Sequence, residues 1–169
     1  MIHTISILVR NEAGVLSRIS DLFSGRGYNI ESLTVAPTLD TDYSRVTIVT
    51  NGDDKVIEQI TKQLNRLIPT IKVMDLPVAD CIEREFIMCK VSAKEENRSE
   101  ILRIAEIFNA KVIDVTNRSY TLQAFGDERQ IRSLIELLRP IGIRELVRSG
   151  KVVISRENQF QNIKNGQDL

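Results

Sequence analysis

Asn11-Glu12-Ala13-Gly14-Val15-Leu16-Ser17-Arg18-Ile19 is the stretch on which the fold turns. Before it runs Ile5-Ser6-Ile7-Leu8-Val9, an apolar run of strand length that stops at Asn11. After Gly14 the spacing changes. Val15, Leu16, Ile19, Leu22 and Phe23 recur at helical intervals and line one face of a helix over 14–25. A strand-to-helix turn built on glycine leaves backbone N–H groups free at the positive end of the helix, with no Cβ in the way. Such a turn suits a carboxylate. Asn11 stands at its lip, where its side chain can both donate and accept, which fits an amino acid zwitterion better than a bare anion.

Working outward, the chain reads as two unequal copies of one plan. The first copy is strand 2–9, helix 14–25, strands 30–37 and 44–51, helix 54–67 and strand 70–76. Val56, Ile57, Ile60, Leu64 and Leu67 stripe its second helix. Asn51-Gly52-Asp53-Asp54 supplies a glycine and then acidic residues for that helix start. Leu76-Pro77-Val78-Ala79-Asp80 breaks the pattern, because proline removes a ladder donor. The second copy repeats the order with Phe86–Val91, a helix from about 98 to 109, Lys111–Val115, Tyr120–Phe125, a helix 127–139 and strand material 143–155. The expected class is α+β, two ferredoxin-like βαββαβ domains in tandem. Their limits are 1–77 and 84–157, with a linker at 78–83 and a polar tail at 158–169.

Comparison of the copies assigns the ligand to the first domain. After Phe23 the loop Ser24-Gly25-Arg26-Gly27-Tyr28-Asn29 precedes Ile30, whereas only a short link follows Phe108. The second copy approaches its helix through Lys94-Glu95-Glu96-Asn97-Arg98, where acidic side chains would repel a carboxylate.

Lysine plus arginine and aspartate plus glutamate balance at 23 each, so no overall positive field draws the chain to nucleic acid or acidic membrane. No apolar stretch reaches the length of a membrane span and no signal core opens the chain, which sets the expectation of a cytoplasmic protein. Cys81 and Cys89 lack the further ligands a metal site needs, and read as reduced structural thiols. His3 is the only histidine and keeps phase with Ile5, Ile7 and Val9, without a paired nucleophile. Glu83-Arg84-Glu85 reads as a solvated charge run or as a docking element. No phosphate loop appears, and no side-chain constellation able to carry catalysis or bind a metal.

The run Asn11 to Ala36 resembles the ACT-domain signature of the small, regulatory subunit of acetohydroxyacid synthase (acetolactate synthase). Gly27-Tyr28-Asn29-Ile30-Glu31-Ser32-Leu33-Thr34-Val35-Ala36-Pro37 and Ser44-Arg45-Val46-Thr47-Ile48 carry the resemblance. Glu83-Arg84-Glu85, Ile113-Asp114-Val115 and Leu138-Arg139-Pro140 followed by Gly142-Ile143 extend it over about 2–156. The resemblance implies a homodimer through the first domain, with the effector at the junction. Asn11, Gly14, Val15 and Leu16 of one protomer would face Asn29 and Ile30 of the other. N–H groups near Gly14 would take the carboxylate, Asn29 would hold the ligand across the interface, and Ile30 with Val35 would form an apolar wall. It also implies a catalytic large subunit as partner, carrying thiamine diphosphate, with valine as feedback effector and no cofactor in this chain. Against this stands the plainer reading that Asn11 caps the helix and Gly14 relieves the turn.

Two other function classes remain in view. One is a free-standing amino acid sensor of another pathway. The other is an RNA-binding sheet, which needs aromatics on central strands and a basic face; strands 2–9 and 44–51 offer neither. The chain departs from the family pattern at Pro69-Thr70, which is expected to kink the fourth strand. It departs again at Asn109, where arginine is usual, and at Asn117-Arg118, where a proline-containing turn is usual.

Overall fold

The computed structural model describes residues 1–156, so the polar tail expected over 158–169 lies outside the described residues. The chain divides into two compact units, Met1–Ile82 together with the chain from Lys151 onward, and Glu83–Gly150.

The first unit runs β1 (Ile2–Arg10), α1 (Val15–Ser24), β2 (Ile30–Pro37), β3 (Tyr43–Asn51), α2 (Asp54–Leu64) and β4 (Thr70–Asp75). Its strands form one antiparallel sheet in the order β2-β3-β1-β4. Alternation decides the faces: Ile5, Ile7 and Val9 pair with Ile48, Val46 and Ser44 and point at the helices. Val15, Ile19 and Phe23 of α1 and Ile57, Ile60 and Leu64 of α2 close that core. Leu16, expected in the stripe, is instead 41% exposed, because it sits at the border of the apolar arc. Asp53 caps α2 by accepting from the Val56 amide at 2.8 Å. Gly52 is needed for a different reason: a Cβ there would lie 2.9 Å from the Val56 side chain.

Pro69 leaves its mark where β4 begins. Val9 pairs with Thr70 but Leu8 pairs with Lys72, so Ile71 is an extra residue and the strand bulges. The Pro69 carbonyl is used, accepting from the Arg10 amide at 2.8 Å. The opposite face of this sheet is buried too, at Thr4, Ser6, Leu8, Thr47 and Val49. Thr34 Oγ1 donates to the Lys151 carbonyl at 3.0 Å, and Val153 clusters with Met74, Leu76 and Cys81. Residues 151–155, expected with the second copy, therefore back the first unit.

β5 (Cys81–Ser92) and β8 (Ile143–Ser155) each begin in one unit and end in the other; residues 78–80, expected as linker, form a 3-10 turn. In the second unit, β5 and β8 join β6 (Lys111–Val115) and β7 (Ser119–Gly126) in the order β6-β7-β5-β8. α3 (Arg98–Ile107) and α4 (Glu128–Gly142) cover it. Ile87, Cys89 and Val91 pack with Ile101, Ile104, Leu122, Ile131, Leu134 and Leu138. α4 opens with a reciprocal cap between Asp127 and Gln130 and continues through Pro140 to Gly142. In the last turn proline forfeits one hydrogen bond close to a terminus, so the helix outlasts its expected end at 139.

Glu85 is not part of a solvated run. It is 2% exposed and accepts two hydrogen bonds from Arg148, Nε at 2.7 Å and Nη2 at 2.6 Å. That bond raises the pKa of the Arg148 guanidinium. Asn109 has φ 51, the one positive φ at a non-glycine residue among the described residues. The Ala110 amide closes the helix end on the Ala105 carbonyl at 2.8 Å. Asparagine tolerates this left-handed helix exit better than arginine does. Cys81 and Cys89 are buried and form no disulfide, and burial pushes the Cys89 thiol up to about 11.

Candidate functional site

The first unit holds a pocket of about 300 Å³ where β1 turns into α1. Asn11, Gly14, Val15, Leu16 and Val35 all line it, together with Val9, Arg10, Glu12, Ser17, Ala36, Pro37, Ser44 and Val46. Its shape follows from the local chain. β1 ends at Arg10, whose neighbour Asn11 is anchored when its amide donates to the Asp42 carbonyl at 2.7 Å. Gly14 then takes φ 84 and ψ −2, a left-handed conformation that favours glycine, and the Arg18 amide closes the first helical bond on its carbonyl at 3.1 Å. No side chain caps α1 and no acid occupies its first turn. The helix thus presents its positive end to the pocket, while Val9, Val15, Val35 and Val46 supply an aliphatic wall.

Asn11 is not the cap of α1. Its Nδ2 donates to the Thr41 carbonyl at 2.9 Å, so one of its two amide hydrogens is committed to the β2–β3 loop, while the other and the Oδ1 acceptor remain. Gly14 occupies the cap position with no atom within 4 Å of where a Cβ would stand.

Asn29 and Ile30 do not line the pocket of their own chain. They lie at the far end of β2 from Val35: Ile30 pairs with Thr50, whereas Val35 pairs with Val46. Asn29 Nδ2 donates to Glu31 Oε1 at 2.8 Å, and its carbonyl accepts from Thr50 Oγ1 at 2.6 Å.

The corresponding turn of the second unit is a 3-10 turn over Glu95–Asn97, with Glu95, Glu96 and then Glu100 near the helix start. Those carboxylates gather negative charge at the turn, with Glu96 near Lys94 and Glu100 near Arg103, and would repel a ligand's carboxylate. At the other end of the helix the two units agree more than their sequences suggest. The Tyr28 amide donates to the Phe23 carbonyl at 3.0 Å around left-handed Gly27, as Ala110 donates to Ala105 around Asn109. The long insertion expected after Phe23 therefore reduces to one residue, Asn29, between the helix exit and the strand.

Two features lie outside the expected site. His3 Nδ1 is 3.1 Å from Asp75 Oδ2, and its Nε2 is 3.8 Å from Asp54 Oδ1. In the second unit Phe86 and Phe125 face each other on the central strands with ring centroids 4.8 Å apart, and Phe125 is 66% exposed. The sequence placed both strands, but nothing in it paired the two rings. Among the described residues no group of three or more His, Cys, Asp or Glu is arranged to hold a metal, and no helix is long and apolar enough to cross a membrane.

Two ferredoxin-like units in tandem, the first with an open glycine-led helix start, define an α+β protein of the ACT-like class. Residues 5–72 match the family described as the AHAS small subunit-like ACT domain, and residues 84–157 match the small subunit of acetolactate synthase. The acetolactate synthase small subunit of Aquifex aeolicus is 49% identical over 164 residues, covering 96% of this chain and 85% of that protein. A probable acetolactate synthase small subunit of Archaeoglobus fulgidus is 48% identical over 159 residues, 94% of this chain and 99% of its own. The crystal structure of the acetolactate synthase small subunit from Thermotoga maritima superposes with a TM-score of 0.86 at 36% identity, covering 94% and 99% of the two chains. The chain belongs to the acetolactate synthase small subunit family.

Proposed function

We propose that this chain is a regulatory subunit that activates a separate acetolactate synthase catalytic subunit and confers feedback inhibition by valine. The observation that carries the reading is the uncapped, acid-free start of α1 opening on an aliphatic pocket. A carboxylate finds backbone donors at Gly14 to Ser17, and a short branched side chain finds Val9, Val15, Val35 and Val46. The chemistry of synthesis belongs to the partner, where thiamine diphosphate would reside; this chain contributes no catalytic residue and no cofactor of its own. We place the protein in the cytoplasm with the rest of branched-chain amino acid synthesis.

The site is shared between two copies in this reading. Asn29 and Ile30 lie outside their own chain's pocket, so a homodimer through the first unit brings them to the partner's Asn11–Leu16 turn. Asn29 then contributes a side-chain amide, and Ile30 closes the wall begun by Val35. Because neither chain holds the whole site, valine tightens the dimer.

Reconstitution tests this directly. The catalytic subunit is assayed alone, with the chain, and with the chain plus increasing valine. Stimulation by the chain and its reversal by valine are the expected results. Absence of stimulation, with valine still binding the chain, would replace this reading with that of a free-standing amino acid sensor.

A further inference from the structure

We propose that Glu12 is the group by which the first unit's pocket distinguishes an α-amino acid from the same acid without its amine. The inference rests on the amino acid reading above and deepens it. The helix start at Gly14 to Ser17 offers N–H donors, which take a carboxylate and cannot hold an ammonium. Asn11 brings no charge: its Oδ1 can accept one hydrogen bond from an ammonium but cannot neutralise it, while one Nδ2 hydrogen is held by the Thr41 carbonyl at 2.9 Å. Arg10, the one cation of the lining, has the wrong sign. Glu12 is the one acid of the lining, two residues before Gly14 on the same turn.

Its present partner is easily exchanged. Arg18 Nη1 stands 3.7 Å from Glu12 Oε1, beyond hydrogen-bonding reach, and the two side chains are 50% and 46% exposed. Such a pair contributes little to the fold, so Glu12 can turn to a ligand's ammonium by changing its side-chain rotamer alone. Against the aliphatic wall that new pair is screened less than one on the open surface. A 2-oxo or deaminated acid of the same aliphatic shape would bring only its carboxylate, leaving Glu12 without a counter-ion and next to a like charge. The pocket thus rejects those acids by charge rather than by size.

Calorimetric titration of the full chain with L-valine and with 3-methylbutanoate, its deaminated counterpart, tests the assignment. The unaltered protein should prefer valine by about tenfold or more, as expected for a bond between charged groups. Glu12→Gln should weaken valine by about tenfold and leave 3-methylbutanoate as tight or tighter, so the preference collapses. Arg18→Met removes the competitor and should tighten valine by about two- to threefold without changing 3-methylbutanoate. Glu12→Gln with unchanged valine affinity, or with equal losses for both acids, overturns the role of Glu12 while the valine site stands. Failure of the unaltered chain to bind valine at all overturns the effector reading itself, and the role of Glu12 with it.

Discussion

The first unit enters its first helix through Asn11–Gly14 with nothing on the helix end, whereas the second reaches Arg98 through Glu95 and Glu96. Both units otherwise share element order, sheet order and the left-handed exit at Gly27 or Asn109. The difference of a few residues at one turn therefore separates a unit with an aliphatic-walled pocket from a unit whose corresponding turn carries its own acids. A helix end is a resource that either a ligand or the chain's own acids can use.

Placing an acid on the first turn should make it behave like the second. Gly14→Asp is expected to remove valine binding altogether, measured by calorimetry on the full chain. Its backbone cost, about 1–2 kcal/mol from a side chain at φ 84, is separated by Gly14→Ala, which carries the strain without the charge. Retained valine affinity in Gly14→Asp would break the comparison.

The second unit has an anchor of its own, an ion pair on buried Glu85 near the start of β5 and away from the turn that matches the first unit's pocket. Arg148→Met leaves the Glu85 carboxylate buried without its partner and should cost about 3 kcal/mol in urea unfolding. The double replacement Glu85→Met with Arg148→Met should recover much of that loss. A double variant as unstable as the single one would show that the pair is not the cause.

Asn29 is the residue by which the two helix-to-strand links differ. Asn29→Ala should weaken valine by about 1–3 kcal/mol through a lost hydrogen bond to a charged group. It should leave unfolding nearly unchanged, since its side chain holds only the exposed Glu31. An unaltered valine isotherm would remove Asn29 from the site.

The equivalent exits predict a smaller effect. Asn109→Ala should destabilise the chain by about 1 kcal/mol, and Asn109→Gly should not, because glycine adopts φ 51 freely. Equal stabilities for alanine and glycine would deny the left-handed exit. Smallest at neutral pH is the effect of Cys89, whose thiol is raised to about 11 from 9.0 by burial. The folded state holds its proton more tightly than the unfolded one, so stability is full below pH 9.0 and falls as pH rises toward about 11. Thiol reagent at pH 8 should react only as the chain unfolds; rapid reaction of the native protein would contradict that burial.

Much of this was legible from local pattern. Strand 30–37 and strand 111–115 appear with the limits their alternation and flanking loops indicate, and α1 begins one residue after Gly14. Errors fell where neighbours in space decide. Glu85 looks solvated because nothing within its own strand announces Arg148, 63 residues away. Phe108 looks like the counterpart of Phe23 because both are aromatic, yet the closing bonds align Phe23 with Ala105. Pro140 looks like a helix stop, and its cost at the last turn is too small to make it one.

By itself the sequence determined the doubling of the chain, the βαββαβ order of each copy and the glycine-led turn. Each is written in periods of two or 3.6 residues and in the backbone needs of single glycines, all local properties. Only the tertiary structure sets one amide hydrogen of Asn11 on the Thr41 carbonyl and leaves Asn29 away from the pocket of its own chain. Only there do residues 151–155 join the first unit. Those outcomes depend on strand register and on partners far along the chain, which no local pattern encodes.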